Sequence, residues 1–247
     1  MKRVLLTLSF DGTAYHGWQV QENAVTVQET LQNGLESLLG VRPSVTGCSR
    51  TDAGVHARQF CCHLDCDDAI PKEAFLRGLN SILPKDIAVT DYREVASDFH
   101  ARYHCKGKNY RYKMYVGAIH DPFLKNYALR LDQPLDLERC QQFCAGLVGT
   151  HDFAPFSSAG RSVTDTVRTV SACNIIENKR GFELSVSADG FLYNMVRIIV
   201  GTAIAVSQGR RSPNCAKEIF ALGKRELAGE TAPPQGLYLN QVFYDLR

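Results

Sequence analysis

The chain has 247 residues, of which 45% are hydrophobic and 22% are charged; these values are near the globular average and exclude a disordered or collagen-like protein. The 28 Lys and Arg residues nearly balance the 26 Asp and Glu residues, so the net charge of +2 excludes a histone-like polycation but not a local basic groove. The nine cysteines are an odd number, and we find neither a secretory signal nor a run of roughly 18 apolar residues. We therefore expect free thiols in a reducing cytoplasm and no membrane segment.

Hydrophobic periodicity predicts two successive halves that share the element order β-α-β-β-α-β. In the first half, a capping box from Thr26 to Glu29 begins a helix that Gly40 can end, and Pro71 suits the first turn of a second helix. Alternating apolar residues predict strands of this half at 4–10, 44–48, 59–64 and 87–95. In the second half we predict strands at 109–116, 163–176, 182–188 and 237–244, and helices at 135–147, 191–206 and 213–222.

This element order is that of a ferredoxin-like unit, so we predict an α+β protein made of two ferredoxin-like halves. The short connection Lys106-Gly107-Lys108 places the boundary between residues 1–105 and 106–247. Two such halves with adjoining antiparallel sheets would leave a central cleft between them.

The loop at 47–57, between two predicted strands, carries Arg50, Thr51 and Asp52 on a turn bounded by glycines. One interpretation is a simple turn in which Thr51 and Asp52 hydrogen-bond the local backbone, and composition by itself favours it. The other is a carboxylate held on a rigid loop for chemistry. Because no second acid lies nearby in sequence, that interpretation favours nucleophilic or single-base catalysis over a paired-acid mechanism.

Arg197 lies in an otherwise apolar predicted helix. One interpretation is that its aliphatic stem packs among the apolar neighbours while its guanidinium reaches water. Much of this helix must be buried, however, and a buried guanidinium without an anionic partner costs several kcal/mol. Asp52 is a plausible partner, and such a pair would keep the carboxylate ionised and oriented.

Residues 99–120 contain no Asp or Glu and interleave Lys and Arg with aromatic rings. On a strand, Tyr110 and Tyr112 would share one face, and Arg111 and Lys113 the other. Cations that neutralise phosphates and rings that stack on bases suit nucleic acid. An amphipathic edge strand with a solvated basic face is the alternative, and the acid-free length slightly favours RNA.

The run Cys61-Cys62-His63-Leu64-Asp65-Cys66 is a weak candidate metal site. In a strand, Cys61 and Cys62 point to opposite faces and cannot easily join one tetrahedral site, so buried free thiols are favoured. His56 is a candidate base, although a lone histidine near a turn is more often structural. No phosphate-loop, dinucleotide-binding or serine-hydrolase pattern is present.

Six segments in order resemble the tRNA pseudouridine synthase A family. The aspartate motif is Ser-Arg-Thr-Asp-Ala-Gly-Val-His-Ala at 49–57, where Ser49 replaces a common Gly. The other five segments are Phe-Asp-Gly-Thr-Ala-Tyr-His-Gly-Trp-Gln at 10–19, Lys-Asn-Tyr-Arg-Tyr at 108–112, Gly-Thr-His-Asp-Phe at 149–153, Phe-Leu-Tyr-Asn-Met-Val-Arg at 191–197 and Pro-Gln-Gly-Leu-Tyr-Leu at 234–239.

The resemblance implies isomerisation of uridine to pseudouridine at positions 38, 39 and 40 in the anticodon stem-loop of tRNA. It implies a homodimer without metal or organic cofactor and the pseudouridine synthase fold, which agrees with two ferredoxin-like halves. The catalytic residues would be Asp52, Tyr110 and Arg197. The substrate-binding residues would be Arg50, Arg58, Lys108, Tyr110, Arg111 and Leu237.

In this hypothesis the target uridine is flipped out of the RNA. Asp52 then attacks the sugar C1′ or the ring C6, or abstracts the 2′ proton, and the residues do not choose among these. Tyr110 would stack on uracil and help to remove the C5 proton, Arg50 would assist flipping, and Leu237 would pack near the base. Three alternatives stay open: a non-catalytic RNA-binding module, a Cys/His hydrolase or zinc enzyme, and a sibling synthase with another RNA target.

Overall fold

The chain forms two compact units in a computed structural model that describes residues 1–66, 70–160 and 163–246. The first unit comprises the described residues of Met1–Lys106 together with 238–246, and the second unit comprises those of Gly107–Leu237. The predicted division into 1–105 and 106–247 therefore differs at the C terminus. Residues 238–246 join the first unit because their strand pairs with a strand of that unit.

The first unit contains six elements and part of the last strand. These are β1 (Lys2–Phe10), α1 (Val27–Leu39), β2 (Val45–Gly47), β3 (His56–Cys66), α2 (Lys72–Ile82), β4 (Ile87–Val95) and β10 (Leu237–Tyr244). β1 lies between β3 and β4 and is antiparallel to both. The other edge of β3 pairs with β2 at residues 62–64 and with β10 at residues 56–57. The element order up to β4 is the predicted β-α-β-β-α-β.

Helix α1 begins and ends where the sequence predicts. The Thr26 hydroxyl accepts a hydrogen bond from the Glu29 N–H at 3.3 Å, which satisfies one of the backbone donors that a helix start leaves unpaired. Gly40 ends the helix in the left-handed conformation, at φ 75°. Leu31 and Leu35 are fully buried, and burial of each stabilises the unit by roughly 1.5–3 kcal/mol.

The second unit contains two short strands that its sequence pattern does not predict. Its elements are β5 (Cys105–Val116, which begins at the end of the first unit), β6 (Leu129–Leu131), α3 (Leu137–Ala145), β7 (Gly149–Asp152), β8 (Val167–Asn178), β9 (Gly181–Ala188), α4 (Met195–Ser207) and α5 (Cys215–Leu222). The strands follow the order β5-β9-β8-β7, and β6 pairs with β5. The short strands β6 and β7 were not predicted, because three or four residues carry too little periodicity.

Helix α4 lies in the core of the second unit. Nine of its residues are buried, so the helix is apolar around most of its circumference, and Arg197 is its only charged residue. It begins at Met195, later than the predicted residue 191, because Asn194 has a left-handed backbone, at φ 61°.

Antiparallel sheets were predicted, and two strand pairs depart from that prediction. β10 runs parallel to β3, and β6 runs parallel to β5. A parallel pair needs a connection of a dozen or more residues, which residues 117–128 supply between β5 and β6. Among the described residues, none of the helices combines the length and apolar character needed to cross a bilayer.

Candidate active site

Asp52 lies in a tight turn of the loop 48–55, which joins β2 to β3 and is called here the aspartate loop. The Asp52 carbonyl accepts a hydrogen bond from the Val55 N–H at 3.2 Å, and Gly54 adopts φ 75° at the third position of the turn. Positive φ at that position is typical of a type II turn and favours glycine. The backbone therefore forms a turn, but the buried Thr51 hydroxyl has no hydrogen-bond partner in the described part of the chain, so the bond predicted from Thr51 to the local backbone is wrong. The turn leaves the Asp52 side chain, which is half-buried, to project from a fixed peptide.

One arginine in this loop and one shortly after it are both exposed. Arg50 belongs to the loop itself, and Arg58 lies on β3. The Arg58 guanidinium carbon is 5.8 Å from the centre of the Tyr238 ring, a cation–π distance that fixes the side chain along β10. Both positions are suited to reach an external polyanion such as RNA.

His56 is a structural residue in this fold. Its ring is 2% exposed and stacks on Tyr238 at 4.7 Å between ring centres. Its Nδ1 accepts a hydrogen bond from the Gly12 N–H at 3.1 Å and also lies 3.1 Å from Oδ1 of Asp11. These contacts tie β3 to β10 and to residues 11–12, as the structural alternative predicts.

Tyr110 lies on β5, in the second unit. The residue is 6% exposed, and its ring meets that of Phe191 edge to face at 4.9 Å, a geometry that favours aromatic pairs. Lys108 and Tyr112 lie on the same face, because side chains alternate along a strand. Lys108 is buried, whereas Arg111 on the opposite, basic face is exposed.

Tyr112 and Arg111 have partners within their own unit. The Tyr112 hydroxyl donates to the Pro233 carbonyl at 2.7 Å, and burial raises the pKa of that hydroxyl. The exposed Arg111 donates from Nη1 to Oε1 of Glu183 at 3.1 Å. An RNA phosphate would have to compete with this carboxylate for Arg111, which weakens but does not remove its predicted role.

Arg197 is oriented by two uncharged acceptors. Its Nε–H donates to the Ala232 carbonyl at 2.7 Å, and its Nη1–H donates to Oδ1 of Asn194 at 2.8 Å. Neither acceptor was predicted from the sequence, although Asn194 stands at the i−3 position that side chains of one helix face share. Ala232 lies in a loop 35 residues away and leaves no local signal. Asp52 belongs to the first unit and Arg197 to the second, so their ion pair stays a prediction.

Leu237 is the first residue of β10 and is 6% exposed. It follows a turn of 3₁₀ helix, Pro234–Gly236. A Cβ atom on Gly236 would lie 2.7 Å from the Tyr112 ring, so this turn is packed tightly against β5. Because Leu237 directly follows this turn, its backbone is held near β5, the strand that carries Tyr110.

The cysteines around His63 are buried thiols, as predicted. Cys61, Cys62 and Cys66 are free and buried, and burial raises the pKa of Cys61 to about 11. Within 1–66, 70–160 and 163–246, no three His, Cys, Asp or Glu side chains are grouped so that they could hold a metal ion.

The sequence of this chain matches the family described as tRNA pseudouridine synthase over residues 7–104 and 143–245. The chain belongs to the tRNA pseudouridine synthase family. The first matched segment contains the aspartate loop and the second contains α4 with Arg197, whereas Tyr110 lies between the two segments.

Relatives named tRNA pseudouridine synthase A match nearly the whole chain. The protein from Thermoanaerobacter sp. (strain X514) is 42% identical over 244 residues, which cover 99% of this chain and 100% of the relative. The protein from Ruminiclostridium cellulolyticum is 42% identical over 245 residues, with the same coverage. The protein from Geobacillus sp. (strain WCH70) is 43% identical over 245 residues and 99% of each chain. The predicted family and enzyme class, a tRNA pseudouridine synthase, are confirmed.

Proposed function

We propose that this protein isomerises uridine to pseudouridine at positions 38, 39 and 40 in the anticodon stem-loop of tRNA. In this proposal it acts in the cytoplasm as a homodimer, without metal or organic cofactor, and its two units are ferredoxin-like halves. The observation that carries the proposal is the match to the tRNA pseudouridine synthase family over residues 7–104 and 143–245. The first of these segments contains Asp52, which lies on a hydrogen-bonded turn.

The reaction exchanges one glycosidic bond for another. The bond between N1 of uracil and C1′ of the ribose breaks, a bond between C5 and C1′ forms, C5 loses its proton and N1 gains one. No electrons enter or leave, so the chemistry needs a carboxylate and proton transfers rather than a redox cofactor. Asp52 would supply the carboxylate by attack at C1′, by attack at C6 or by removal of the 2′ proton.

Tyr110 would stack on the uracil ring and transfer its C5 proton. The edge-to-face contact with Phe191 fixes the plane of the phenol, so one face of the ring can stack on the detached base. Its hydroxyl would then accept or relay the C5 proton, a role that positioned side chains fill when they lie within hydrogen-bond reach.

Arg197 would hold Asp52 ionised and aimed at the nucleotide. The bonds to Ala232 and Asn194 use Nε and Nη1, and the planar guanidinium then directs its remaining N–H groups along fixed lines. Charge-assisted bonds of this kind are roughly twice as strong as neutral ones.

The uridine must leave its stack before it reacts, at a cost of a few kcal/mol. Arg50, exposed on the aspartate loop, would occupy the vacated space or hold a phosphate. Contacts from Arg58, Lys108 and Arg111 to the RNA backbone would offset the cost of flipping. Leu237 would provide an apolar contact for the base.

The test is the substitution Asp52→Asn. The amide introduced by this change keeps the size of the side chain but cannot act as nucleophile or base, so pseudouridine formation on tRNA should be abolished while tRNA binding stays largely intact. Mapping of pseudouridine in tRNA from cells that lack the protein should locate the loss at positions 38–40. Normal turnover by the variant would reject the role of Asp52, and a loss at other positions would indicate a synthase with another target.

A further inference from the structure

Residues 11–18, called here the backing segment, lie directly behind the aspartate loop. The Trp18 N–H donates to the Thr51 carbonyl at 3.2 Å, and the Gly54 N–H donates to the Tyr15 carbonyl at 3.2 Å. These bonds lie one residue before and two residues after Asp52. The peptide that carries the carboxylate is therefore fixed on both sides by the same segment.

Two glycines allow this close approach. A Cβ atom on Gly17 would lie 2.1 Å from the Thr51 carbonyl oxygen and 3.1 Å from the Asp52 carbonyl carbon, and Gly17 also has φ 84°. A Cβ atom on Gly12 would lie 2.0 Å from the Val55 carbonyl oxygen. Any side chain at Gly17 would push against backbone rather than against a flexible side chain, so the loop itself would have to move.

The backing segment is anchored independently of the loop. The Gly17 and Trp18 carbonyls accept hydrogen bonds from the first two N–H groups of α1, at 3.1 and 3.0 Å. At the other end, the Tyr15 hydroxyl donates to Oδ1 of Asp86 at 2.7 Å, and the Asp11 N–H donates to the Asp86 carbonyl at 2.8 Å.

Packing of aromatic rings adds to this anchorage. Trp18 is 3% exposed and stacks on Phe60 of β3 at 4.1 Å between ring centres. A Cβ atom on Gly47 would lie 2.6 Å from the Trp18 indole nitrogen, so the indole is also confined from the β2 side. The segment is thus held firmly against the sheet, and a clash at Gly17 falls on the backbone of the aspartate loop.

We propose that Gly17 is a positioning residue for Asp52, and that the backing segment sets the position and the direction of the catalytic carboxylate by fixing the backbone on both sides of it. This inference rests on the proposed function, in which Asp52 acts on the flipped uridine. It explains in physical terms why Phe-Asp-Gly-Thr-Ala-Tyr-His-Gly-Trp-Gln at 10–19 and the aspartate motif occur together in one chain: each provides the surface on which the other is fixed.

The experiment compares Gly17→Ala with Gly40→Ala in the full-length protein. Both glycines have positive φ, 84° and 75°, but a Cβ atom on Gly40 would meet nothing within 4 Å. The control therefore carries the backbone strain without the clash. Melting temperature, tRNA affinity and single-turnover release of tritium from C5-labelled uridine in tRNA are measured for both.

Displacement of the carboxylate by about 1 Å should lower the Gly17→Ala single-turnover rate constant about 100-fold, with tRNA affinity within about threefold of the wild type. Gly40→Ala should keep the wild-type rate constant. A merely structural role would lower the melting temperature and the reaction amplitude of Gly17→Ala but leave its rate constant unchanged, and that result would overturn the proposal.

A milder pair serves if Gly17→Ala does not fold. Tyr15→Phe keeps the ring and removes the bond to Asp86, whereas Tyr244→Phe removes a hydroxyl that donates to the Ala101 carbonyl elsewhere in the first unit. Tyr15→Phe should slow the single-turnover step about tenfold at unchanged tRNA affinity; equal rates for the two variants would overturn the proposal.

The variant Asp52→Asn separates the two inferences. If it turns over normally, the catalytic role of Asp52 and the positioning role of Gly17 both fail, while the isomerase activity itself still stands. If it is inactive while folded Gly17→Ala reacts at the wild-type rate, the role of Gly17 alone is wrong.

Discussion

Arg197 and Ala232 form a reciprocal pair of hydrogen bonds. The Arg197 Nε–H donates to the Ala232 carbonyl at 2.7 Å, and the Ala232 N–H donates to the Arg197 carbonyl at 3.1 Å. The direction of the guanidinium is thus set by the backbone of its own unit. Any anionic partner meets an arginine that is already oriented, so little further entropy is lost when the pair forms.

The first prediction follows from this geometry. Arg197→Lys keeps the charge, but one ammonium group cannot serve Ala232, Asn194 and a carboxylate in the same fixed plane. We expect kcat to fall by about 10- to 100-fold with a smaller change in KM, measured on tRNA under saturating conditions. Wild-type kcat in this variant would show that a positive charge is sufficient and that the planar set of N–H donors on the guanidinium is not needed.

A second prediction concerns the glycine that brings the Ala232 loop to α4. A Cβ atom on Gly201 would lie 1.8 Å from the Glu230 carbonyl oxygen, so Gly201→Ala should displace the loop and with it the acceptor of Arg197. Overpacking of this kind costs about 1–3 kcal/mol, and kcat should fall as well. Gly78→Ala in α2 is the matched control, because this glycine is also helical and its added Cβ would meet only the end of the Leu38 side chain, at 2.9 Å. Equal melting temperatures and activities for the two would contradict the prediction.

The third prediction separates the two tyrosines that share a face of β5. Tyr110→Phe keeps the edge-to-face contact with Phe191 but removes the hydroxyl, and loss of a proton-transfer group should lower kcat about 10²- to 10⁴-fold. Tyr112→Phe removes the bond to Pro233, which should lower the free energy of unfolding by about 1–2 kcal/mol with little change in kcat. Steady-state kinetics and urea unfolding of both variants provide the check; similar kcat values would reject the role of the Tyr110 hydroxyl.

The fourth prediction is a pH dependence of stability centred on His63. Its Nδ1 accepts a hydrogen bond from the Ala101 N–H at 3.1 Å. Burial, followed by the nearby positive charge of Arg3 and by His100, lowers the pKa of His63 to about 4, although Asp65 opposes the shift. The unfolded chain therefore binds a proton near pH 6.5 that the folded chain binds only near pH 4. Stability from this group is present above pH 6.5 and is lost as the pH falls toward 4.

Urea unfolding at pH 7 and pH 4.5 should show a loss of about 2 kcal/mol from this group. His63→Asn keeps an acceptor close to the position of Nδ1 but does not titrate, so its loss over the same range should be smaller by about that amount. An identical pH dependence in the variant and the wild type would rule out His63 as the source.

The fifth prediction concerns thiol reactivity. Burial raises the pKa of Cys61 to about 11 and that of Cys62 well above the ordinary thiol value, and only the thiolate is nucleophilic. Iodoacetamide at about pH 8 should therefore leave both unmodified in the native protein and modify both in urea, as measured by mass spectrometry of peptides. Rapid native labelling of either residue would contradict its burial.

Local features of the fold could be predicted from the sequence because they depend on neighbours a few residues apart. The capping of α1 by Thr26, its end at Gly40 and the element order of the first unit all follow from short-range hydrogen bonding and periodicity. The aspartate loop was identified in the same way, as a glycine-flanked turn between strands.

Only the tertiary structure decided which distant groups meet. The parallel pairing of β10 with β3, the Ala232 carbonyl on Arg197 and the packing of Gly17 against Thr51 join residues far apart in the sequence. Such contacts arise when several elements bury their apolar faces together, and no periodicity of one segment encodes them. The sequence by itself therefore determined the longer elements, the family and the candidate carboxylate, whereas long-range packing decided how the carboxylate and the guanidinium are each held in place.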